Sequence, residues 1–274
     1  MRAYFGKVIR LVRELPGLYT VAGAKTFLRY VWAIISSTPS IIKKGNLGPA
    51  FAKMEGREYS LHPLWVPMIL DGKNFGRVTE LYARGVYFLP PDVMLKKGMT
   101  VVDLGANLGI FTLLAALVGK RVVAVEAIQE FIDTMHENLK RNECLNKVTI
   151  VRGMVGYNSG LFTNKKILHD TSGDIVPPNL SLNNIFKENG LSVVDFMKID
   201  IEGSEFDLFS HDIGWLSNVA RIAMEVHPQY GNISQLVSNI EKAGFKAWLV
   251  SLNRKVVSEI RDEAGYLFAK NLKF

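Results

Sequence analysis

Six ionisable residues, Asp103, Glu126, Asp200, Glu202, Glu225 and His227, fall at or just after the ends of short apolar runs. Side chains of these types can move a proton, orient a hydroxyl or grip a ribose. A carboxylate buried alone is costly, so each of them calls for a partner or a ligand. If the apolar runs are strands of an open parallel sheet, their carboxyl ends border the crevice where ligands bind. Asp200 and His227 are the candidate general bases, and Glu202 and Glu225 the candidates to orient base or substrate. Glu205 reads more simply, as a first-turn acid complementing a helix dipole.

The elements that must position these residues are legible from residue 99 onward. Met99 to Leu104 is a short apolar run ending in an acid and a leucine, the pattern of a buried parallel strand. Gly105-Ala106-Asn107-Leu108-Gly109 follows, then a helical stretch from Ile110 to Val118 stopped by Gly119. Strand, glycine turn and helix together present bare backbone N–H groups to a ligand. A second strand, Arg121 to Val125, ends in Glu126, 21 residues after Gly105, where a doubly wound fold places a ribose-gripping carboxylate. Asn107 stands where a dinucleotide fingerprint needs its second glycine, so the turn suits S-adenosylmethionine better than NAD.

Alternation continues with helix 128–142, strand 147–152, a Gly/Asn/Ser/Pro-rich stretch 153–179, and a short helix from Ser181 to Glu188. Strands follow at 194–200 and 219–226, then helix 232–243 and strands 245–251 and 265–270. The last two are joined too closely for a crossover and must pair antiparallel. The 153–179 stretch is a candidate lid or substrate-contact region.

The 274 residues carry a net charge of +7, unevenly placed. Residues 1–57 hold ten Lys/Arg and two acids, while the remainder is nearly neutral. A nucleic-acid enzyme more often spreads basic residues around its cleft, so nucleic acid is not the expected partner. Residues 4–15 read as an amphipathic helix broken at Pro16-Gly17, and Phe27 to Ile42 is a second apolar stretch interrupted by Arg29 and polar residues. This arm packs on the main domain or a second copy, or rests peripherally on an anionic membrane through residues 1–42. A strand pair over 57–70 closed at Asp71-Gly72 and a short helix over 77–84 lead into the core. The domain reading is therefore a basic helical arm (1–57), a connecting strand pair and helix (58–98), and a nucleotide-binding unit (99–274). A single cysteine, Cys144, excludes a disulfide framework and a multi-cysteine zinc site. With no leader-like apolar run at the start, a cytoplasmic setting is the expectation.

Val101 to Gly109, Val125-Glu126-Ala127, Lys198-Ile-Asp-Ile-Glu-Gly-Ser-Glu205 and Glu225-Val226-His227 together resemble the FkbM family of methyltransferases, over roughly residues 77–252. The likeness is most specific at 198–205. It implies the class I methyltransferase fold: a Rossmann-like α/β unit with a seven-stranded, mostly parallel sheet and helices on both faces. It further implies S-adenosylmethionine as donor and O-methylation of a sugar, polyketide or similar metabolite. On that basis Gly105, Ala106, Asn107 and Gly109 hold the methionine end, with Asp103 and Asp200 beside them. Glu126 takes the ribose, Gly153 and Met154 flank adenine, and Tyr87 closes over the cofactor. The proline usual after the second-strand acid is replaced by Ala127-Ile128, which leaves the adenine wall at Ala127 open. The carboxylates are alternatively candidates for a divalent cation, which nothing in their spacing favours. Three other classes remain: an inactive membrane-associated binding protein with this fold, an NAD enzyme and an RNA methyltransferase.

Overall fold

A computed structural model describes residues 2–44, 49–50, 53–54, 57–61, 66–70, 81, 85–88, 93–156, 177–261 and 264–274. The turn at Asp71-Gly72, most of the 77–84 helix and the candidate lid at 157–176 lie outside the described residues. The chain divides into two compact units, Met1–Val86 and Tyr87–Phe274.

In the first unit, helix α1 (Arg2–Lys44) lies against β1 (Arg57–Leu61), which pairs antiparallel with β2 (Val66–Leu70). The helix does not end at Pro16-Gly17 as the sequence predicts. Its one non-helical residue is Gly23, with φ 68° and ψ 168°, a region open essentially to glycine alone. A proline costs an interior helix one hydrogen bond and a clash. Here the chain carries the proline and bends instead where no side chain opposes it.

The second unit is a sheet ordered β5-β4-β3-β6-β7-β10-β8-β9. Its strands are β3 (Thr100–Leu104), β4 (Arg121–Glu126), β5 (Val148–Arg152), β6 (Phe196–Ile199), β7 (Arg221–Val226), β8 (Phe245–Val250), β9 (Val256–Val257) and β10 (Gly265–Asn271). The first five are mutually parallel, and β10 is inserted antiparallel between β7 and β8. The order reverses between β3 and β6, which makes that junction the topological switch point. Among the described residues the sheet has eight strands rather than the expected seven. The extra one is β9, two residues folded back on the end of β8. So short a strand has no periodicity to read.

Period-two alternation and register then fix which side chains share a face. β3 pairs Asp103 with Ala124 of β4 and with Lys198 of β6, and β6 pairs Lys198 with Ala223 of β7. Asp103, Glu126, Lys198, Asp200 and Glu225 therefore all lie on one side of the sheet. On that side α2 (Ile110–Val118) sets Phe111 against Phe196, rings 5.9 Å apart. The other face buries Val102, Leu104, Met197, Ile199, Ile222 and Met224. It is covered by α4 (Leu182–Glu188), α5 (Glu205–Leu208) and α6 (Ile233–Lys242). Helix α3 (Gln129–Arg141) follows β4.

Candidate functional site

The glycine turn is built by close approach. Gly105 has φ +73°, and a Cβ there would fall 1.8 Å from the Asp200 carbonyl oxygen. The turn after β3 is thus pressed against the end of β6 at the switch point. Gly105→Ala is expected to lower the melting temperature measurably, because backbone, not a yielding side chain, must move. An unchanged melting curve would contradict this packing.

The N–H groups of the turn are not bare, contrary to the sequence expectation. Gly105 and Ala106 both donate to the Val125 carbonyl at 3.0 Å, and Gly109 donates to Ala106. Asn107, in the left-handed region at φ 53°, donates its N–H to Glu126 Oε2 at 2.7 Å. Every buried N–H needs a partner, and the end of β4 supplies it locally. The turn therefore offers no cradle of free donors for a pyrophosphate. Gly109 instead packs on α3, where a Cβ would meet Met135, and Asn138 of α3 donates to Leu108 O at 3.2 Å.

Glu126 is 7% exposed. Its Oε1 accepts from the N–H groups of Ala127 and Ile128 at 2.8 and 2.9 Å, and Oε2 from Asn107. Burial pushes its carboxyl above the ordinary range, and these three bonds and the Lys198 charge offset that only in part. A carboxylate has about four acceptor sites, so one on Oε2 remains for a further donor among the described residues. Beside it Ala127, Ile128 and Met154 form a small apolar cluster with Phe131. Gly153 opens this edge by donating to Glu126 O, and Met154 is pinned by bonds to Pro178 and Leu180.

Lys198 ties this half to the other. It is 4% exposed and donates to Gly105 O at 2.7 Å and Leu104 O at 3.4 Å. Its Nζ lies 3.2 Å from Asp103 Oδ1, a charge contact rather than an aligned hydrogen bond, and 3.8 Å from Asp200 Oδ2. Asp103 is fully buried and accepts from Thr112 Oγ1 at 2.6 Å, fastening α2 to β3. Asp103 is thus a structural partner of the lysine.

Two clusters of ionisable side chains gather at and just after the ends of β6 and β7. In the first, the buried Tyr87 hydroxyl sits 3.3 Å from Asp200 Oδ2 and 3.4 Å from Glu225 Oε2, with Lys198 Nζ 5.7 Å from its ring centre. In the second, Glu205 Oε1 accepts the His227 backbone N–H at 2.7 Å and contacts Nδ1 at 3.1 Å. Glu205 Oε2 accepts from Gly203 N–H at 2.9 Å. On the far side of the ring, Nε2 lies 3.6 Å from Glu202 Oε2. Glu202 itself has φ 51°, an uncommon conformation for a glutamate and a source of local strain.

Glu205, read from the sequence as a first-turn acid, does stand in the first turn of α5, but its bonds go to Gly203 and His227. It is fully buried, and α5, of four residues, has little dipole to complement. The sequence reading assigned no role to Lys198, Thr112 or Asn138. Only Lys198 carried a signal, as a charge inside the apolar run Phe-Met-Lys-Ile.

Burial works to lower the pKa of His227. The Glu205 hydrogen bond and charge, then the charges of Glu225 and Glu202, outweigh it and push the imidazole up to about 9. At neutral pH the ring is a cation. The folded value lies above the ordinary 6.5, so this pair stabilises fully below pH 6.5 and loses its contribution as pH rises through about 9. Urea midpoints in slightly acid and in alkaline buffer are expected to differ accordingly, and Glu205→Gln to shrink the difference. Equal shrinkage with pH in both proteins would contradict the pairing.

Among the described residues no group of three His, Cys, Asp or Glu side chains is placed to hold a metal ion.

The model of the methyltransferase FkbM domain matches residues 103–247, a stretch that spans the glycine turn, the Glu205–His227 cluster, and Asp200 and Glu225 of the other cluster, with Tyr87 outside it. A curated relative, the 31-O-demethyl-FK506 methyltransferase FkbM of Streptomyces tacrolimicus, is 25% identical over 219 residues, 63% of this chain and 83% of the relative. Among solved structures the chain is similar to precorrin-6y C5,15-methyltransferase from Geobacter metallireducens GS-15, with 13% identity, TM-score 0.44, and 69% and 88% of the two chains covered. It is also similar to SMU.1697c of Streptococcus mutans in complex with SAH, with 12% identity, TM-score 0.42, and 65% and 91% covered. With the domain match covering more than half the chain, on a doubly wound sheet closed by an antiparallel strand, this protein belongs to the FkbM methyltransferase family.

Proposed function

We propose that this chain binds S-adenosylmethionine beyond the carboxyl ends of β3 and β4 and methylates a hydroxyl of a small molecule or glycan. The observation that carries the reading is the largely buried Tyr87–Asp200–Glu225 cluster beside the glycine turn. The relative's name describes a methyltransferase for a 31-O-demethyl compound, which favours oxygen as the acceptor.

The residues present fit the donor. The remaining acceptor site on Glu126 suits a ribose hydroxyl, and Ala127, Ile128 and Met154 offer an apolar wall for a flat base. A turn whose N–H groups are spent suits an uncharged ribose and a small zwitterion better than a pyrophosphate. When bound, S-adenosylmethionine supplies a methyl group already activated by its sulfonium charge.

The protein's own work is then alignment and proton removal. Alignment is worth about 7–11 kcal/mol at best, and a positioned base about 10²–10⁴-fold. His227 already holds its proton at neutral pH. Asp200 is therefore the group that accepts the hydroxyl proton. Tyr87 orients that carboxylate and Glu225 through one phenol, and the Glu205–His227 pair holds Glu202 at the rim. Mass spectrometry of a panel of hydroxyl-bearing acceptors incubated with the donor tests the reading. It predicts addition of one methyl group on oxygen. Methylation confined to nitrogen or carbon would contradict it.

A further inference from the structure

We propose that the C-terminal half of α1 docks this protein on an anionic phospholipid surface. In α1, Thr26, Tyr30, Ala33, Ser37 and Ile41 are buried at intervals of four, three, four and four, so one stripe of the helix faces the interior. The opposite stripe is apolar as well. Leu28, Trp32, Ile35 and Ile42 recur at intervals of four, three and seven and are 64%, 68%, 58% and 62% exposed. A run of large apolar side chains along one open helix face is not the ordinary scatter of surface hydrophobics.

The border of this stripe decides what covers it. Lys25, Arg29 and Lys43 run along one edge of it and Lys44 ends the helix; all four are exposed, and residues 15–44 contain no aspartate or glutamate. A second copy meeting this face about a two-fold axis would bring the same cations together with no acid in the stretch to neutralise them. An RNA would be met by the cations but would leave Leu28, Ile35 and Ile42 in water. A bilayer with anionic headgroups satisfies both parts: the apolar stripe enters the headgroup–acyl boundary while the basic edge stays with the phosphates. Trp32, at the centre of the stripe, is a residue type that favours that boundary. Among the described residues no helix is long and apolar enough to cross a membrane. The helix therefore lies on the surface.

The test is sedimentation of the full chain with vesicles of phosphatidylcholine alone or of equimolar phosphatidylcholine and phosphatidylglycerol, at low ionic strength. The chain is expected to sediment with the anionic vesicles and not with the neutral ones. Trp32→Glu with Ile35→Glu is expected to lower partitioning by about tenfold or more. Lys25→Gln and Arg29→Gln are expected to lower it by about fivefold each. Far-UV circular dichroism and the melting temperature, read on the same samples, should match wild type. Equal binding to both vesicles, or binding untouched by the Trp32/Ile35 change, overturns the proposal. So does a wild-type dimer that the Trp32/Ile35 change dissociates, or polyuridylate binding tighter than vesicle binding.

Discussion

Asp200→Asn is expected to lower kcat by about 10²–10⁴-fold, the value of a positioned base, while affinity for S-adenosylhomocysteine stays near wild type. Asparagine keeps the shape of the side chain and can still accept the Tyr87 hydroxyl, which lies 3.3 Å from Asp200 Oδ2. What it loses is the capacity to take a proton. The same experiment separates Asp200 from His227. With His227 as acceptor, the rate would keep rising until the imidazole loses its proton near pH 9; a profile already flat below that pH speaks against it. A His227→Asn enzyme more impaired in kcat than Asp200→Asn would reverse the assignment.

Lys198→Met is expected to cost about 3–5 kcal/mol of stability, the penalty for stripping a buried charge of its partner. Asp103 is wholly buried and its Oδ1 faces the ammonium at 3.2 Å. Methionine fills nearly the same volume, so the loss measures charge and hydrogen bonding rather than a cavity. The carbonyls of Leu104 and Gly105 lose a donor in the same step. Urea denaturation reads the change. The double change with Asp103→Asn should recover part of the loss, since the uncompensated carboxylate is then gone. A single variant as stable as wild type would show that the lysine is not needed where it sits.

The sheet and its turn were legible because their signals are local. An apolar run ending in an acid, a glycine turn and a helical stretch lie within about twenty residues, and Glu126 falls at the spacing the fold requires. The side on which Asp103, Glu126 and Asp200 meet follows from alternation once the parallel order is known. The purpose of Glu205 was hidden for the opposite reason. Its partner His227 lies 22 positions away, on the loop after another strand, and nothing near Glu205 announces a buried ion pair. Asp103, placed beside the ligand by sequence, accepts from Thr112 with Oδ2 and faces the Lys198 ammonium with Oδ1. The turn misled in a similar way. Glycines suggest exposed N–H groups, but Val125 O and Glu126 had already engaged them, and this competition between neighbours cannot be seen in one segment.

Central to the proposed function is an adenosyl amino acid held at the ends of β3 and β4. Isothermal calorimetry with S-adenosylhomocysteine, on wild type and on Glu126→Ala, addresses it most directly. The predicted result is saturable heat at one site per chain, weakened by about tenfold or more when the ribose acceptor is removed. No heat from wild type at millimolar ligand, or tighter binding of NAD than of the homocysteine compound, would contradict it.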